Sequence, residues 1–382
     1  MSVQDLQRGD LVVAVIGTGT MGRGIAQVCA QARMTALMFD ARGGAAAEAV
    51  LAIGKALDGV VAKGRMAADV KQGVMRRLRA VDSLDELAGA GIAIEAIVED
   101  LAAKRALFRE LEKRMAPDAV LATNTSSLSV TEIAAGCDHP ARVGGLHFFN
   151  PPPLMRLVEV IGGLRCDAAL VPALTGFVKR LGKHPVVATD TPGFVVNHAG
   201  RAYGPEALRI VAQGIASPRE VDLLMKEAAG FRMGPFELLD LIGADVTHAV
   251  MRSIYEQYFN EPMYQPSAEM TVRVAAGLLG RKTKRGFYDY DGPSQPSAPT
   301  VAVVPQPKPP SAWVADEDGG RELAEWLKAA GVKTKVGGVP AAAALCFVTP
   351  LGEDATAAIV RLKLDPKRTV AVDMLGGFKG RR

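Results

Sequence analysis

The sequence lacks the cysteine patterns of metal-binding and disulfide-bonded proteins. Its 382 residues include four cysteines, with no Cys-x-x-Cys pair and no spacing typical of zinc ligands. We therefore expect no metal site. We expect Cys29, Cys137, Cys166 and Cys346 to stay reduced, as thiols do in the cytoplasm.

Long apolar runs and a strong charge imbalance are also missing. No apolar run approaches the ~20 residues of a membrane-spanning helix, and residues 1–10 contain no apolar signal region. The formal net charge of +4 is too small to favour a nucleic-acid partner. With 49% hydrophobic and 23% charged residues, the composition predicts a globular protein, cytoplasmic and without a membrane partner. The length predicts two or three domains.

A glycine-rich turn between two predicted strands carries a specific signal. The apolar run Leu11 to Ile16 predicts a strand buried on both faces, and Thr35 to Phe39 predicts a second strand that ends at an acid. The glycines allow a tight bend, close approach of a pyrophosphate and close packing of the next helix, predicted over Ile25 to Ala32. The candidate cofactor-binding residues are Gly17, Gly19, Thr20, Met21, Gly22 and Asp40.

The acid that ends the second strand favours NAD over NADP. Asp40 is placed to accept hydrogen bonds from both hydroxyls of the adenosine ribose, and its charge repels a 2′-phosphate. Arg42, two residues later, makes this discrimination less sharp. The cofactor that we expect is NAD.

A histidine and a glutamate flank three consecutive prolines in the stretch Val143 to Ile161. Two strands joined by a stiff proline turn are expected to bring His147 and Glu159 side by side, and a carboxylate beside an imidazole suits a general base. A buried core histidine and a surface glutamate fit the same residues when they are considered alone. The nucleotide motif upstream favours the general base.

Polar residues follow two more predicted strands. Ile92 to Val98 is followed by Glu99, with Lys104 one turn into the next helix, and Ala119 to Thr123 is followed by Asn124 to Ser127. Ligands of open parallel sheets bind at the carboxyl ends of the strands, which places Glu99 near the cofactor. The Asn-Thr-Ser-Ser segment suits ligand contacts and a helix cap equally well.

The remaining periodicities predict an α/β domain, a helical domain and a small α/β unit. Residues 43–79 predict one long basic helix or a helix pair, and a helix over Cys166 to Leu181 precedes a short strand over Pro185 to Ala188. The proposed divisions are an α/β Rossmann domain over 1–190, an all-helical domain over 191–290, a proline-rich linker over 291–312, and a small Rossmann-like α/β segment over 313–382. In the last segment we predict helices over Arg321 to Ala330 and Glu353 to Arg361, and strands over Ala341 to Val348 and Thr369 to Asp373.

Six sequence blocks in this order closely resemble the 3-hydroxyacyl-CoA dehydrogenase family. They are VIGTGTMGRGIAQVCA, AIVEDLAAK, NTSSLS, GLHFFNPPPLMRLVEV, LGKHPVVATDTPGFVVN and MGPFELLDLIG, and they lie within residues 10–290. The resemblance implies a Rossmann NAD-binding domain followed by a helical domain that forms a homodimer. It implies reversible, NAD-dependent oxidation of a 3-hydroxyacyl-CoA in fatty-acid, butanoate or phenylacetate catabolism.

The same resemblance implies roles for individual residues. His147 and Glu159 correspond to the catalytic dyad, and Ser126 and Asn197 correspond to residues that hold the substrate. The residues that match positions near the nicotinamide and its ribose are Glu99, Lys104, Asn124 and Asn150. The basic residues Lys55 and Lys63 are candidates for contact with the CoA moiety.

Three departures from the family pattern lie near the site: Arg156 stands where lysine is usual, His198 where arginine is common, and Lys284 within the closing GRKTGRGFY-like block. Residues 313–382 resemble the additional segment of longer members, including those of phenylacetate degradation, and suggest that the chain is a shortened form. Two other functions remain open, a dehydrogenase of free 3-hydroxyacids and a non-catalytic, crystallin-like NAD-binding relative.

Overall fold

The computed structural model of the chain describes residues 5–200, 203–291 and 309–374. These divide into two compact units, Met1–Asp222 with Met233–Pro293, and Leu223–Arg232 with Ser294–Arg382. The α/β domain and the helical domain predicted from the sequence therefore lie in one unit. The predicted linker falls largely on residues 292–308, which lie outside the described residues.

An eight-stranded sheet forms the first unit, with strand order β3-β2-β1-β4-β5-β6-β7-β8. The strands are β1 Val12–Ile16, β2 Thr35–Phe39, β3 Leu78–Ala80, β4 Ile92–Glu95, β5 Val120–Thr123, β6 Val143–Phe148, β7 Leu157–Gly162 and β8 His184–Ala188. Neighbouring strands are parallel except β6 and β7, which are antiparallel. The predicted Rossmann fold is confirmed, and the chain moves outward from β1 in both directions, which creates a ligand crevice between β1 and β4.

Helices cover both faces of this sheet. They are α1 Thr20–Gln31, α2 Ala45–Ala62, α3 Ala68–Arg77, α4 Leu101–Arg114, α5 Val130–Ala134 and α6 Leu170–Arg180, with 3₁₀ turns at Leu84–Leu87 and Pro140–Arg142. Strands β1, β4 and β5 carry apolar side chains toward both layers. Val13 and Val15 belong to one core cluster, whereas Ala14 and Ile16 belong to the other. Burial on both faces explains why these strands read as continuous apolar runs.

Several predicted boundaries are wrong. Residues 43–79 form a helix pair, but Leu78 and Arg79 belong to β3, whose pairing with β2 overrides the helical pattern. Strand β4 ends at Glu95, three residues before the predicted end at Val98, because the pairing with β1 and β5 stops there. Helix α6 begins at Leu170, after the predicted Cys166.

The second part of the first unit is helical, as predicted. Its elements are α7 Val196–Ala199, α8 Gly204–Ala212, α9 Pro218–Leu223, α10 Pro235–Ile242, α11 Ala244–Gln257 and α12 Ala268–Ala275, with 3₁₀ turns at Pro262–Tyr264 and Arg281–Thr283. Two buried carboxylates fix its end. Asp222 accepts from the backbone N–H groups of Phe236 and Glu237 at the start of α10, and Asp240 accepts from those of Phe287 and Tyr288.

The second unit contains a four-stranded parallel sheet of order β10-β9-β11-β12. Its elements are a π-helical segment Leu224–Ala228, β9 Ala312–Val314, α13 Gly320–Ala329, β10 Thr334–Val336, β11 Leu345–Val348, α14 Ala355–Leu362, a 3₁₀ turn Pro366–Arg368 and β12 Thr369–Ala371. Leu323 and Leu327 of α13 pack on one face of the sheet, and Ala358 of α14 packs on the other. The predicted small α/β unit is confirmed, although the short strands β9 and β10 were not predicted.

Among the described residues, none of the helices has both the length and the apolar character needed to span a membrane.

Candidate active site

The glycine turn (17–22) follows β1 and has the geometry of a phosphate-binding turn. Gly17 has a φ of +89°, and a Cβ atom there would lie 2.6 Å from the carbonyl oxygen of Ala96. A Cβ atom at Gly19 would project into open space, so a ligand can approach this backbone closely. Thr20 and Met21 are the first two residues of helix α1. The N-cap of this helix is Gly19, so no side chain caps its first N–H groups. Free N–H groups and the helix dipole therefore face the open space and suit the pyrophosphate of NAD.

The acid after β2 contacts this turn. Asp40 Oδ2 accepts from the backbone N–H of Thr18 at 2.7 Å and from its hydroxyl at 2.8 Å. Partial burial raises the pKa of Asp40, but these bonds and the N–H of Arg42 outweigh it and lower the pKa below its ordinary value. The guanidinium of Arg42 is paired with Glu48 at 2.6 Å, so its charge is partly neutralised by that carboxylate.

A buried ion pair stands at the carboxyl end of β4. The ammonium of Lys104 lies 2.6 Å from Glu95 Oε1 and 3.3 Å from Glu99 Oε2, and its side chain is 1% exposed. Glu95 also accepts from the hydroxyl of Thr123 and the N–H of Ile97. The ammonium of Lys104 therefore lies between the two carboxylates. Its contact with the nicotinamide ribose stays a prediction.

Glu99 holds the serine loop (124–127) after β5. Its Oε1 accepts from the hydroxyl of Thr125 at 2.6 Å and from the N–H groups of Ser126 at 2.9 Å and Ser127 at 3.1 Å. Burial raises the pKa of Glu99, but the charge of Lys104 and these donors lower it below its ordinary value. The carboxylate is thus kept ionised as an acceptor for the loop.

Asn124 connects the serine loop to the next strand. Its Oδ1 accepts from the N–H of Phe148 at 2.9 Å, so this side chain links the end of β5 to the end of β6. The helix-cap role that the sequence left open falls to Ser129, which caps α5. Asp190 accepts from the hydroxyl of Ser129 and the N–H groups of Val130 and Thr131, which fixes this turn.

His147 and Glu159 face each other on β6 and β7. They are direct partners in the antiparallel register, and His147 Nδ1 lies 2.6 Å from Glu159 Oε2. Glu159 is 0% exposed, and its Oε1 accepts from the N–H groups of Val195 and Val196 at 2.9 Å. Burial raises the pKa of Glu159, but His147 and the two N–H groups outweigh burial and lower the pKa. An ionised carboxylate only accepts, so Nδ1 carries the proton and Nε2 is the basic nitrogen.

The proline turn (150–155) joins these two strands. Lys183, just before β8, donates to the carbonyl oxygens of Pro152 at 2.6 Å and Met155 at 2.8 Å. Pro152 also packs on α1, where a Cβ atom at Gly24 would lie 2.7 Å from its ring. Asn150 is exposed at the start of the turn, next to the end of β6. The turn is therefore fixed between the glycine-turn helix and β8.

The candidate CoA contacts lie on α2 and at its C-cap. Lys55 and Lys63 are exposed. An open cavity of about 460 Å³ between α2 and α3 is lined by other residues, among them Asp58, Lys71 and Arg76. Lys71 is paired with Asp58 at 2.5 Å. The basic helix pair is present, but neither predicted lysine lines its cavity.

Sequence reasoning missed several residues that hold this site, namely Glu95, Lys183, Asp190 and Gln257. Gln257, at the end of α11, donates from Nε2 to the carbonyl oxygen of Ser127 at 2.7 Å. These residues lie 28 to 130 positions from at least one partner, and no local pattern marks such contacts. The one available signal was Glu95 itself, a charged residue within an apolar run.

Two family models match the chain. The 3-hydroxyacyl-CoA dehydrogenase NAD binding domain matches residues 12–191, and the 3-hydroxyacyl-CoA dehydrogenase C-terminal domain matches residues 193–290.

Known proteins resemble the chain over the same region. It is 42% identical over 278 residues to 3-hydroxyadipyl-CoA dehydrogenase of Escherichia coli (strain K12), a match that spans 73% of this chain and 58% of that protein. It is 41% identical to the mitochondrial hydroxyacyl-coenzyme A dehydrogenase of Homo sapiens, over 73% of this chain and 90% of the human protein. The crystal structure of 3-hydroxybutyryl-CoA dehydrogenase from Escherichia coli K12 has a TM-score of 0.75 at 34% identity and covers 96% of this chain and 80% of that one.

The Rossmann sheet, the glycine turn with its acid, and the histidine–carboxylate pair define a nucleotide-dependent dehydrogenase. The two matched family models, and the human relative of which 90% is covered, identify one family within this class. The chain belongs to the 3-hydroxyacyl-CoA dehydrogenase family and uses NAD.

Proposed function

We propose that His147 is the general base for oxidation of the C3 hydroxyl of a 3-hydroxyacyl-CoA, with Glu159 as its partner. The observation that carries this proposal is the buried 2.6 Å contact between His147 Nδ1 and Glu159 Oε2. The contact fixes the tautomer and directs Nε2 away from the carboxylate. The ionised carboxylate stabilises the positive charge that the imidazole gains with the proton.

The reaction removes a proton and a hydride from the substrate. Bound NAD supplies the hydride acceptor. Nε2 of His147 takes the proton of the C3 hydroxyl as the carbonyl forms, and returns it in the reverse direction. This assistance is worth about a hundredfold to ten-thousandfold in rate.

Ser126 is the group that we assign to the substrate oxygen, with Asn197 as its support. The Nδ2 amide of Asn197 donates to the carbonyl oxygen of Ser126 at 3.0 Å, and Glu99 holds the N–H of the same residue. The Ser126 hydroxyl lies 3.5 Å from Glu99. The serine is thereby fixed through its backbone while its weakly held hydroxyl turns to a ligand.

The cofactor contacts that we propose are the glycine turn, Asp40 and the serine loop, with Asn150 at the edge. We place the CoA moiety at the helix pair α2 and α3, where Lys71 and Arg76 line the cavity between them. Lys55 and Lys63 remain candidates for the exposed phosphates, since both stand free on the surface of this helix pair.

The organisation that we propose follows the family. A Rossmann domain over 1–190 and a helical domain over 191–290 form the dehydrogenase, and the helical domain forms a homodimer in the cytoplasm. Exposed apolar side chains on this domain, including Ile215, Leu241 and Val272, support such a contact. Sedimentation of the purified protein tests it: a monomer at micromolar concentration contradicts the dimer.

A substrate series tests the function. NADH oxidation is measured with acetoacetyl-CoA, with free acetoacetate, and with 3-ketoacyl-CoA esters from four carbons upward, including a 3-keto dicarboxylate ester of the adipyl type. We expect turnover of the esters and none of the free acid. Turnover of acetoacetate alone indicates a free-acid dehydrogenase, and NADH binding without turnover of any ester indicates a non-catalytic relative.

A further inference from the structure

The serine loop is held on its N–H side by the sheet domain. Glu99 accepts from the N–H groups of Ser126 and Ser127, and Lys104 in turn fixes Glu99. These bonds set the distance of the loop from β4. They leave the carbonyl groups, which point the other way along the backbone, to be held by other residues.

Two amides of the helical domain hold those carbonyl groups. Asn197 Nδ2 donates to Ser126 O at 3.0 Å, and Gln257 Nε2 donates to Ser127 O at 2.7 Å. Consecutive peptide groups are thus bound by two side chains from different helices, α7 and α11. A peptide fixed on both its N–H and its C=O side has little freedom to rotate, and the Ser126 side chain shares this constraint.

The Gln257 amide is oriented before it meets the loop. Its Nε2 also lies 2.9 Å from Ser253 Oγ and 3.2 Å from Ser253 O, one turn earlier in α11. The next residue, Tyr258, contacts His198 Nδ1 through its hydroxyl at 2.9 Å, and His198 follows Asn197 directly. The end of α11 therefore contacts both the serine loop and the helix that carries Asn197.

We propose that Gln257 is a positioning residue for the dehydrogenase reaction. Its donated hydrogen bond holds the Ser127 carbonyl, and through it the hydroxyl of Ser126, in the orientation that binds the C3 oxygen of the substrate. The inference rests on the proposed role of Ser126. It assigns to the helical domain a direct contribution to substrate alignment, in addition to that of Asn197.

A donor series separates hydrogen bonding from shape. Gln257→Glu keeps the shape of the side chain but replaces the donor by a carboxylate that faces a carbonyl oxygen. Gln257→Lys changes the shape and keeps a donor. If the bond positions Ser126, the Lys variant retains more activity than the Glu variant. We expect the Glu variant to lose about tenfold to a hundredfold in kcat with acetoacetyl-CoA, since a misaligned hydroxyl acts in the transition state.

Three further measurements make the outcome specific. The Kd of NADH, from its fluorescence, is expected to stay within about twofold in all variants, because the glycine turn and Asp40 are unchanged. Gln265→Leu, at an exposed glutamine of the same domain, is the matched control and keeps parental kcat. If Gln257→Glu fails to bind NADH, Gln257→Met replaces it in the comparison with Gln257→Lys.

Equal activity of the Glu and parent proteins, or a Glu variant more active than the Lys variant, overturns the inference. In both cases the parent enzyme still turns over the ester. A parent protein without turnover of any CoA ester contradicts the proposed function itself, so the two failures are distinguishable.

Discussion

The two carboxylate oxygens of Glu159 accept from three donors. Oε2 contacts His147, and Oε1 accepts from the N–H groups of Val195 and Val196. The same carboxylate therefore orients the base and fixes the start of α7, which carries Asn197. The proposed base and the proposed support of Ser126 thus depend on one buried charge. Loss of that charge is expected to affect both.

The role of His147 is tested by removing its basicity. We expect His147→Gln to lower kcat by about a hundredfold to ten-thousandfold, because the amide cannot take the proton. The Kd of NADH should remain at its parental value. His184→Gln, at an exposed histidine that precedes Pro185 on β8, is the matched control and should leave kcat unchanged. A His147→Gln enzyme with parental kcat would exclude the general-base role.

We expect discrimination against NADP to depend on Asp40 and on the pair of Arg42 with Glu48. Asp40→Ser removes the repulsion of a 2′-phosphate, but Arg42 stays bound to Glu48. Adding Glu48→Gln releases the guanidinium. Because an exposed pair is worth about 0.2–1 kcal/mol, we expect kcat/KM for NADP to rise by a further factor of about 1.4 to 5.

Steady-state kinetics with both cofactors measure this effect. The matched control is Glu110→Gln, which breaks an exposed ion pair on α4 instead. A double variant that uses NADP no better than Asp40→Ser would show that Glu48 does not hold Arg42 away from the cofactor.

At the level of elements, strands β4 and β5 and helix α4 are joined by one buried ammonium. Lys104→Met would leave the buried carboxyl group of Glu95 without its cationic partner, which costs about 3–5 kcal/mol. Lys113, on the same helix, pairs with Glu110 but is 68% exposed. We expect Lys113→Met to cost at most about 1 kcal/mol. Urea unfolding at pH 7 compares the two variants, and equal losses would argue against a structural role for the buried pair.

The serine loop is expected to become less stable in acid through Glu99. Its pKa lies below the ordinary value, so its contribution to folding is present above about pH 4.3, the ordinary glutamate value. The contribution is lost as the pH falls through the lower, folded-state pKa. The difference in unfolding free energy between the parent and Glu99→Gln should therefore be largest at neutral pH and shrink below about pH 4.3. Urea titrations at several pH values measure it, and a difference independent of pH would contradict the assignment.

At the level of the whole molecule, two α/β units raise the question of how many nucleotides bind. In the second unit, the turn after β9 carries Asp316, Glu317 and Asp318, which repel a pyrophosphate. Gly319, at the start of α13, lies against Met374, which a Cβ atom there would meet at 2.8 Å. We expect one NADH per chain by calorimetry. A second site of similar affinity would contradict this reading.

The sequence predicted the fold well where one local pattern decided the structure. The run from Val12 to Ile16, the glycine turn and the proline turn each specify their conformation within about ten residues. The end of β4 was misplaced because Ile97 and Val98 are apolar, and only the missing neighbour strands end the ladder at Glu95. The burial of Lys104 was not predicted because a lysine in a helix is usually solvated, and this burial depends on a carboxylate of the preceding strand.

The two halves of the active site differ in how far apart their residues lie along the chain. His147 and Glu159 are 12 positions apart and meet across a hairpin. The glycine turn needs Ala96, roughly 80 residues away, so its loop closure costs about 1.6 kcal/mol more by the logarithmic dependence on length. During refolding the acid–base pair is therefore expected to assemble before the cofactor site, and protection of the β6–β7 amides from hydrogen exchange should precede recovery of NADH binding.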